Sequence, residues 1–229
     1  MPHYKHLNSY HYIYYRYIFE NLVEKCVKDI RLLLDAGCGN GSSLSFPLDN
    51  VEFVSIDLSR VNIMTCRKRW TKRNYVIADL NNLPFKGGVF GGVLSADVLE
   101  HVDNANVSLK ELARITQKGG FFIGCSTNLL NPLLFFDTKF SMLAKVLEKK
   151  FASPGHYTRH TRFSPSSLVN TLKSAGYQID HLCLLGHQVF SYRHSPVVFS
   201  LIWMFFDRFT KKTPLLYLKE ALIWQATLV

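Results

Sequence analysis

Three alternating glycines mark the stretch of this sequence that is most plainly built for binding. They are Gly37, Gly39 and Gly41, within "LLLDAGCGNG" at 32–41. Glycine loses more backbone entropy on folding than any other residue, so three in five positions indicate a backbone that must turn sharply or pass close to a ligand. The chemistry expected of such a loop is recognition of a ligand by the backbone.

Acids close three of the apolar runs around this loop. Asp35 ends the run before the glycines, and Asp57 and Asp79 end the next two runs. In an open parallel sheet, ligands bind beyond the carboxyl ends of the strands. A carboxylate in that position accepts hydrogen bonds and can bind the ribose hydroxyls of an adenosine. The acids therefore strengthen the prediction of a ligand site at the glycine loop.

Other interpretations of the glycines fit less well. The dinucleotide pattern G-x-G-x-x-G/A needs a third small residue where Ser42 stands. The pattern G-x-x-x-x-G-K-[ST] of P-loop proteins does not occur in the sequence. A glycine-rich turn that only reverses the chain is the remaining alternative. The acids that follow favour a ligand site over such a turn.

Short β-like runs that alternate with helix-like segments must position these residues. The runs are apolar, mostly β-branched or aromatic, and bounded by polar residues or glycine. They cover 31–36, 51–57, 74–79, 90–97 and 119–127, with helical patterns at 59–70 and 105–118. Apolar strands separated by helices predict a parallel sheet covered on both faces.

The second half of the chain is less regular. We expect a helix over 132–150 and a loop over 152–163. A further helix begins at Pro165, capped by Ser164, and ends at Gly176. Strands follow at 177–186 and 221–229, with a helix at 196–210 between them. No linker-like composition divides the chain, so a single domain over 1–229 is expected.

Four motifs occur in a fixed order along the chain. They are "LLLDAGCGNG", "VSIDLS", "VIADLNNLPFKGGVFGGVLSADVLEHV" and "LKELARITQKGGFFIGCSTN". In these motifs the chain resembles the class I S-adenosylmethionine-dependent methyltransferases, in the broad family that includes ubiquinone and menaquinone biosynthesis methyltransferases. The resemblance covers residues 31–127 well and 156–180 more loosely.

The resemblance implies an α/β fold of the Rossmann-like, doubly wound type. Its sheet would be mostly parallel and seven-stranded with an antiparallel last strand, with an N-terminal helix and inserted helices after the fifth strand. The single domain would comprise an N-terminal helical lid (1–30), a cofactor-binding core (31–127) and acceptor-side helices with the last two strands (128–229). The short segment "GSSLSFPLDN" contains Pro47, so the first crossover helix should be short.

The resemblance also implies a cofactor, S-adenosyl-L-methionine. The three glycines would pass beneath its methionine and ribose parts, and Asp35 would hold its amino group directly or through water. Asp57 would bind the ribose hydroxyls, and Asp79 would accept from the adenine amino group. The other expected contacts are Leu58 and Leu80 at the adenine, Ala96 at the methionine end and Arg16 at the carboxylate.

Methyl transfer from a sulfonium is an in-line displacement that depends chiefly on alignment in a dry site. A base is needed only where the acceptor must lose a proton. Candidates for that role, or for orienting the acceptor, are His101, His156, Tyr157 and His160. His101 matches a position common in the family that the chain resembles, where packing is the more frequent role than chemistry, and local hydrogen bonds in a loop are the alternative for the other two histidines. Their spacing resembles that of metal ligands, but no third ligand accompanies them, so no metal site is expected.

Charge and composition limit the partners. The chain of 229 residues is 48% hydrophobic and carries a net charge of +10, which favours a phosphorylated substrate, nucleic acid or an anionic membrane surface. The densest basic cluster, "RKRWTKR" at 67–73, fits either a solvated helix end or a phosphate-contacting patch.

Targeting features are few. Five cysteines without a CxxC pair predict no disulfide framework and favour a reducing cytoplasm. The N-terminal segment lacks the apolar core and cleavage site of a signal peptide. The apolar run at 196–206 is shorter than the roughly 20 residues that span a bilayer. Peripheral membrane contact through such a helix is a hypothesis.

The sequence favours an S-adenosylmethionine-dependent methyltransferase that acts on a small-molecule or lipid-like acceptor. An RNA methyltransferase is the alternative suggested by the positive charge, although no RNA-binding motif accompanies it. A non-catalytic, cofactor-binding scaffold protein also stays open, as does a nicotinamide-dependent oxidoreductase, against which the position of Ser42 counts.

Overall fold

The computed structural model describes residues 10–41, 48, 50–128, 163–185 and 221–229. The N-terminal half of these residues forms α1 (Tyr10–Cys26), a 3-10 helix (Val27–Asp29), β1 (Leu32–Ala36), β2 (Glu52–Asp57), α2 (Arg60–Arg69) and β3 (Asn74–Ile77). The rest forms β4 (Phe90–Ala96), α3 (Ala105–Ile115), β5 (Thr116–Thr127), α4 (Pro165–Ser174), β6 (Tyr177–Leu185) and β7 (Ala221–Leu228).

The strands form one seven-stranded sheet in the order β3-β2-β1-β4-β5-β7-β6. Strands β1 to β5 pair in parallel, and β7 runs antiparallel between β5 and β6. The predicted fold class, a mostly parallel sheet of seven strands with an antiparallel last strand, is confirmed.

Alternate residues along the central strands bury against opposite faces of the sheet, as the period of a strand requires. Leu34 lies in the cluster that α3 and α4 cover, whereas Leu33 lies in the cluster that α1 covers. The runs are apolar on both faces because both faces are buried. The doubly wound arrangement leaves the carboxyl ends of the parallel strands as the edge where loops meet.

One helix is shorter than its sequence pattern predicts. The expectation of helix over 105–118 was wrong in its last turn, because α3 ends at Ile115 and β5 begins at Thr116. The Thr116 hydroxyl donates to the Leu112 carbonyl at 2.6 Å, which satisfies an acceptor at the helix end. Its backbone is extended, with ψ at 140°, and it pairs with Phe90 of β4.

The start of α4 matches its prediction. Ser164 caps the helix and Pro165 occupies the first turn, while the Ser164 and Ser167 side chains form a reciprocal capping box. Gly176 follows the helix with φ at +95°, as a left-handed terminating residue should. The predicted helices at 132–150 and 196–210 lie outside the described residues, as do the loop at 152–163 except for Phe163 and most of the segment 41–50 in which a short crossover helix is expected.

Three further features concern the described residues only. None of their helices is long and apolar enough to cross a membrane. No group of histidine, cysteine and acidic side chains among them has the arrangement of a metal site. All five cysteines fall within these ranges, and their sulfurs form no disulfide bond.

Candidate functional site

A cavity of about 420 Å³ opens where the parallel strands end. Its walls come from the glycine loop after β1, from the ends of β2 and β4, and from the segments that follow β2, β3 and β4. The lining residues are Gly37, Gly39, Asn40, Ile56, Asp57, Leu58, Asn62, Ala78, Asp79, Leu80, Asn81, Ala96, Asp97, Val98, His101, Val102 and Asp103.

The glycine loop is tied to the neighbouring strand by its backbone. The amide groups of Gly37 and Cys38 both donate to the carbonyl of Ile56, at 2.9 and 2.8 Å. The loop glycines have φ values of +79°, +52° and +77°, in the left-handed region that favours glycine. The backbone conformation therefore explains all three alternating glycines, and their surroundings distinguish Gly39 from the other two.

Gly39 faces the cavity. A Cβ placed on it would meet no atom within 4 Å, so a side chain there would occupy the space of a ligand. By contrast, a Cβ on Gly37 would lie 2.5 Å from Val98, and one on Gly41 would lie 2.8 Å from the Cys66 sulfur. Gly37 and Gly41 are required by packing, and Gly39 is the glycine that keeps the cavity open.

Asp57 is fixed by three donors at the end of β2. Its Oδ2 accepts from the Gly39 amide at 2.9 Å, and its Oδ1 accepts from the Ser59 amide at 2.8 Å and the Asn62 side chain at 3.1 Å. A carboxylate offers about four acceptor positions. The group can therefore accept a further hydrogen bond from a ligand without a change in its orientation.

The third and fourth strands contribute a second acid and a strained loop. Asp79 accepts from the Asn81 amide at 2.8 Å, next to the buried Leu80. After β4, Asp97 adopts φ +55°, which is uncommon for a residue other than glycine. Its amide donates to the Cys125 carbonyl, so β5 fixes the loop that carries it.

The cavity is acidic although the chain is basic. Four carboxylates line it, those of Asp57, Asp79, Asp97 and Asp103, and none of the described lining residues is lysine or arginine. Like charges on one wall raise the local concentration of cations. The cavity is therefore suited to a ligand with a cationic group and with hydroxyl or amino donors.

Asp35 lies behind the glycine loop and is not among the described residues that line the cavity. It is buried, accepts from the Ser55 hydroxyl at 3.2 Å, and forms an ion pair with Arg73 at 3.0 Å. Burial raises the pKa of Asp35 to about 6, against the opposing effects of Arg73 and Ser55. Its expected contact with a cofactor amino group stays a prediction.

The segment after α2 supports the loop from the same side. The Trp70 indole donates from Nε1 to the carbonyl of Gly41 at 2.8 Å. The guanidinium of Arg73 lies 4.3 Å from the Phe53 ring centre and 4.8 Å from that of Trp70. Residues 70–73 thus hold Asp35, near the end of β1, and Gly41, at the end of the glycine loop.

The cavity brings together most of the residues predicted from the sequence. Among its lining residues are seven expected cofactor contacts, namely Gly37, Gly39, Asp57, Leu58, Asp79, Leu80 and Ala96, and one catalytic candidate, His101. Gly41 is not in the described lining. The side chain of Arg16, and all of His156, Tyr157 and His160, lie outside the described residues. The roles assigned to all these residues stay predictions.

Sequence reasoning missed several lining residues. Asn62 lies in the first turn of α2, where only the hydrogen bond to Asp57 reveals its relevance. Asn40 and Asn81 lie in loops where the sequence pointed only to adjacent residues, such as Gly39 and Leu80, as ligand contacts. The loop residues Asp97, Val98 and Asp103 had a usable signal, because any segment that leaves the carboxyl end of a parallel strand lies at this edge.

His101 is the catalytic candidate that the described structure places at the cavity. It is half-buried, and burial lowers the pKa of its imidazole below the ordinary value. The ring is therefore neutral at pH 7 and has a nitrogen that can accept a proton. Its amide donates to the Val98 carbonyl at 2.8 Å, which holds the residue at the turn after β4.

Comparisons with known proteins agree with this geometry. Residues 34–124 match the family model described as a methyltransferase domain. A ubiquinone biosynthesis O-methyltransferase of Pelagibacter ubique is 31% identical over 147 residues, which are 58% of this chain and 60% of that protein. A tRNA (carboxymethyluridine(34)-5-O)-methyltransferase of Arabidopsis thaliana is 32% identical over 95 residues, 40% of this chain and 23% of that protein. The chain thus spans 60% or less of the length of these relatives.

Solved structures share the fold at low identity. A protein from Pyrococcus horikoshii has a TM-score of 0.63 at 18% identity, and the match covers 100% of this chain and 96% of that one. A magnesium protoporphyrin IX methyltransferase from Synechocystis, solved with bound SAH, has a TM-score of 0.62 at 18% identity, over 95% and 84% of the two chains. Identities this low speak for the fold alone. Residues 34–124, which hold every described residue that lines the cavity, carry the similarity to a methyltransferase domain, and these comparisons support the resemblance to the class I S-adenosylmethionine-dependent methyltransferases.

Proposed function

We propose that this protein binds S-adenosyl-L-methionine in the cavity and transfers its methyl group to a small-molecule or lipid-like acceptor. The observation that carries the proposal is the end of β2, where the carboxylate of Asp57 is held by Gly39 and Asn62 at the cavity wall. Two hydroxyls of a ribose are suitable donors to such a carboxylate.

The chemistry of the cavity fits this cofactor. Gly39 leaves open space where any side chain would project. Ile56, Leu58 and Leu80 supply apolar surface suited to a planar ring, next to the carboxylate of Asp79. Four carboxylates suit a ligand that carries a sulfonium and an ammonium group. These features support the proposal without fixing the pose of the ligand.

The cofactor, when bound, supplies an electrophilic methyl group on a positively charged sulfur. The residues of this chain would then orient and exclude water rather than form a covalent intermediate. Asp57 and Asp79 would fix the nucleoside, and the loop at Ala96 and Asp97 would face the methionine part. A ring nitrogen of His101, neutral at pH 7, would accept the proton of an acceptor that must lose one.

Isothermal titration calorimetry of the full chain with S-adenosylmethionine tests the cofactor. Binding with a one-to-one ratio is expected, and binding of the demethylated product S-adenosylhomocysteine at the same site is expected to compete. A folded protein that binds neither compound would overturn the proposal. NADH serves as the control, since its binding in their place would favour an oxidoreductase.

A screen with methyl-labelled cofactor tests the acceptor. Label is expected to appear in the small-molecule or lipid fraction of a cell extract. It is expected to be absent when the enzyme is omitted. Label confined to RNA would transfer the proposal to the second candidate, an RNA methyltransferase. That candidate is favoured by the similarity of residues in this domain to a tRNA methyltransferase and by the net charge of +10. Cofactor binding without label in any fraction would favour a scaffold protein.

A further inference from the structure

The outer surface of α2 and the adjacent end of β3 expose an unusual number of apolar side chains. In the part of the chain that the structure describes, six large hydrophobic residues are exposed, and four of them lie between residues 58 and 77. These are Leu58, Val61, Met64 and Ile77, exposed by 60%, 72%, 54% and 51%. Single exposed hydrophobics are ordinary on a protein surface, whereas a concentration of them marks an interaction site.

The same stretch is the most basic part of the chain. Residues 58–77 contain six lysines and arginines and no acid, against a net charge of +10 for all 229 residues. Arg60, Arg67 and Lys68 are exposed, whereas Arg73 is turned inward to Asp35. The cations and the apolar side chains therefore share one surface.

The arrangement along α2 separates an inner from an outer face. The helix packs inward through Ile63 and Cys66, which form a small cluster with Cys38. At 100° per residue, Val61, Met64 and Lys68 point to the opposite side. Ile77 pairs with Asp57 at the end of β3, the edge strand of the sheet, so it lies at the same margin of the molecule as the start of α2.

Charge and side-chain type decide what this surface fits. A second copy of the chain would place two sets of cations against each other, which costs free energy. Single-stranded RNA is bound by stacking its bases on aromatic rings, and none of the six exposed large hydrophobics is aromatic. An anionic bilayer matches both features, because aliphatic side chains enter the interface while lysine and arginine meet the phosphates.

We propose that the α2 patch, formed by Val61, Met64, Ile77, Arg60, Arg67 and Lys68, is a docking surface for an anionic phospholipid membrane. The patch adjoins the cavity, since Leu58 and Asn62 line the cavity from the same segment. Docking would hold the cavity close to the bilayer surface. The inference does not depend on which cofactor the cavity binds.

Co-sedimentation of the full chain with vesicles tests the proposal. Vesicles of phosphatidylcholine alone are compared with vesicles in which phosphatidylglycerol makes up one third of the lipid. Both kinds are tested at low and at high salt. Binding is expected only to the anionic vesicles and is expected to weaken with salt. Val61→Glu is expected to weaken it about tenfold, and Lys68→Gln about fivefold, the effect of one cation near such a surface.

Val107→Glu is the matched control, because Val107 is an exposed valine on α3, outside the patch, and undergoes the same change in charge. It is expected to bind vesicles about twofold less tightly at most. Equal losses for Val61→Glu and Val107→Glu would overturn the proposal, as would equal binding to neutral and anionic vesicles. A single-stranded RNA that displaces the vesicles, and that binds Lys68→Gln more weakly than the parent, would assign the patch to nucleic acid instead. Circular dichroism of each variant establishes that it is folded.

Discussion

Asp57 connects three parts of the candidate site. Its two oxygens accept from the glycine loop, from the residue after Leu58 and from α2, so one carboxylate sets the mutual positions of three segments. Charge-assisted hydrogen bonds of this kind are roughly twice as strong as neutral ones. A change at Asp57 should therefore weaken ligand binding in two ways, through the loss of its own contact and through the displacement of the three segments that it holds together.

Asp57→Asn is expected to weaken the binding of S-adenosylmethionine by about ten- to hundredfold, because one acceptor oxygen and the negative charge are lost at equal size. Calorimetry on the variant measures the change. Glu52→Gln is the control, since Glu52 is exposed at the opposite end of the same strand. An unchanged affinity in Asp57→Asn would remove the role proposed for this carboxylate.

Asp35 is expected to make stability depend on pH near neutrality. Its folded-state pKa of about 6 lies above the 3.8 of an exposed carboxyl, so the folded protein retains a proton that the unfolded chain releases. Stability contributed by Asp35 is therefore present at low pH and is lost as the pH rises through about 6. From pH 5 to pH 8 the loss should be roughly 1 to 2 kcal/mol.

Urea unfolding of the parent and of Asp35→Asn across this pH range isolates the effect. The free energy of unfolding of the parent should fall relative to that of the variant as the pH rises. At low pH the two proteins should be close in stability, because the protonated Asp35 of the parent is then as uncharged as the asparagine of the variant. Two curves that stay parallel from pH 5 to pH 8 would show that Asp35 does not titrate there.

Neighbouring glycines of the glycine loop serve different structural requirements. Gly39 leaves space for a ligand, whereas Gly41 leaves space for Cys66 and Trp70. The tie between Trp70 Nε1 and the Gly41 carbonyl makes the loop depend on the end of α2. A substitution at Gly39 should therefore affect mainly ligand binding, and one at Gly41 mainly the stability of the fold.

Gly39→Ala and Gly41→Ala test that separation as a matched pair. Gly39→Ala should cost about 1 kcal/mol of stability, from its positive φ alone, but should greatly weaken cofactor binding because the new methyl enters the cavity. Gly41→Ala should cost about 2 to 4 kcal/mol, since its methyl also collides with packed side chains. Urea unfolding and calorimetry measure the two effects. Equal losses of stability in the two variants would contradict the distinction.

The sequence predicts most strands of this fold because their apolar runs are long and their glycine and acidic ends are distinct. It fails at the end of α3, where the polar pattern continues to 118 but the backbone extends at Thr116 to pair with Phe90. That pairing joins residues 26 positions apart, and periodicity does not report contacts of that kind. Asp35 shows the same limit within the site: its partner Arg73 is 38 residues away, so the side it faces follows from the register of the sheet.

At the level of the whole molecule, charge is unevenly distributed. The chain has a net charge of +10, but four carboxylates line the cavity. A cationic ligand would therefore be attracted by the carboxylates of the cavity and repelled by the positive charge of the rest of the protein. Higher salt screens the distant cations more than the near carboxylates, so it should affect cofactor binding less than membrane docking.

Cofactor binding is expected to stabilise the whole fold, because the cavity joins the segments that follow β1 to β4. S-adenosylmethionine at a hundred times its dissociation constant should add about 2.7 kcal/mol and raise the melting temperature by about 5 to 10 °C. Thermal unfolding followed by circular dichroism measures the shift. NADH at the same concentration should cause none, and an equal shift with NADH would contradict the proposed specificity.

Trp70 also gives the protein an optical probe of its ligand loop. Its indole donates to Gly41 and lies beneath the guanidinium of Arg73, whereas Trp224 is fully buried in β7. Indole emission depends on hydrogen bonding and on nearby charge, so a shift of the loop by a few tenths of an ångström would alter the emission of Trp70. In a variant whose other two tryptophans, Trp203 and Trp224, are replaced by phenylalanine, Trp70 would report from behind the glycine loop without a label, and fast mixing could follow loop movement in real time.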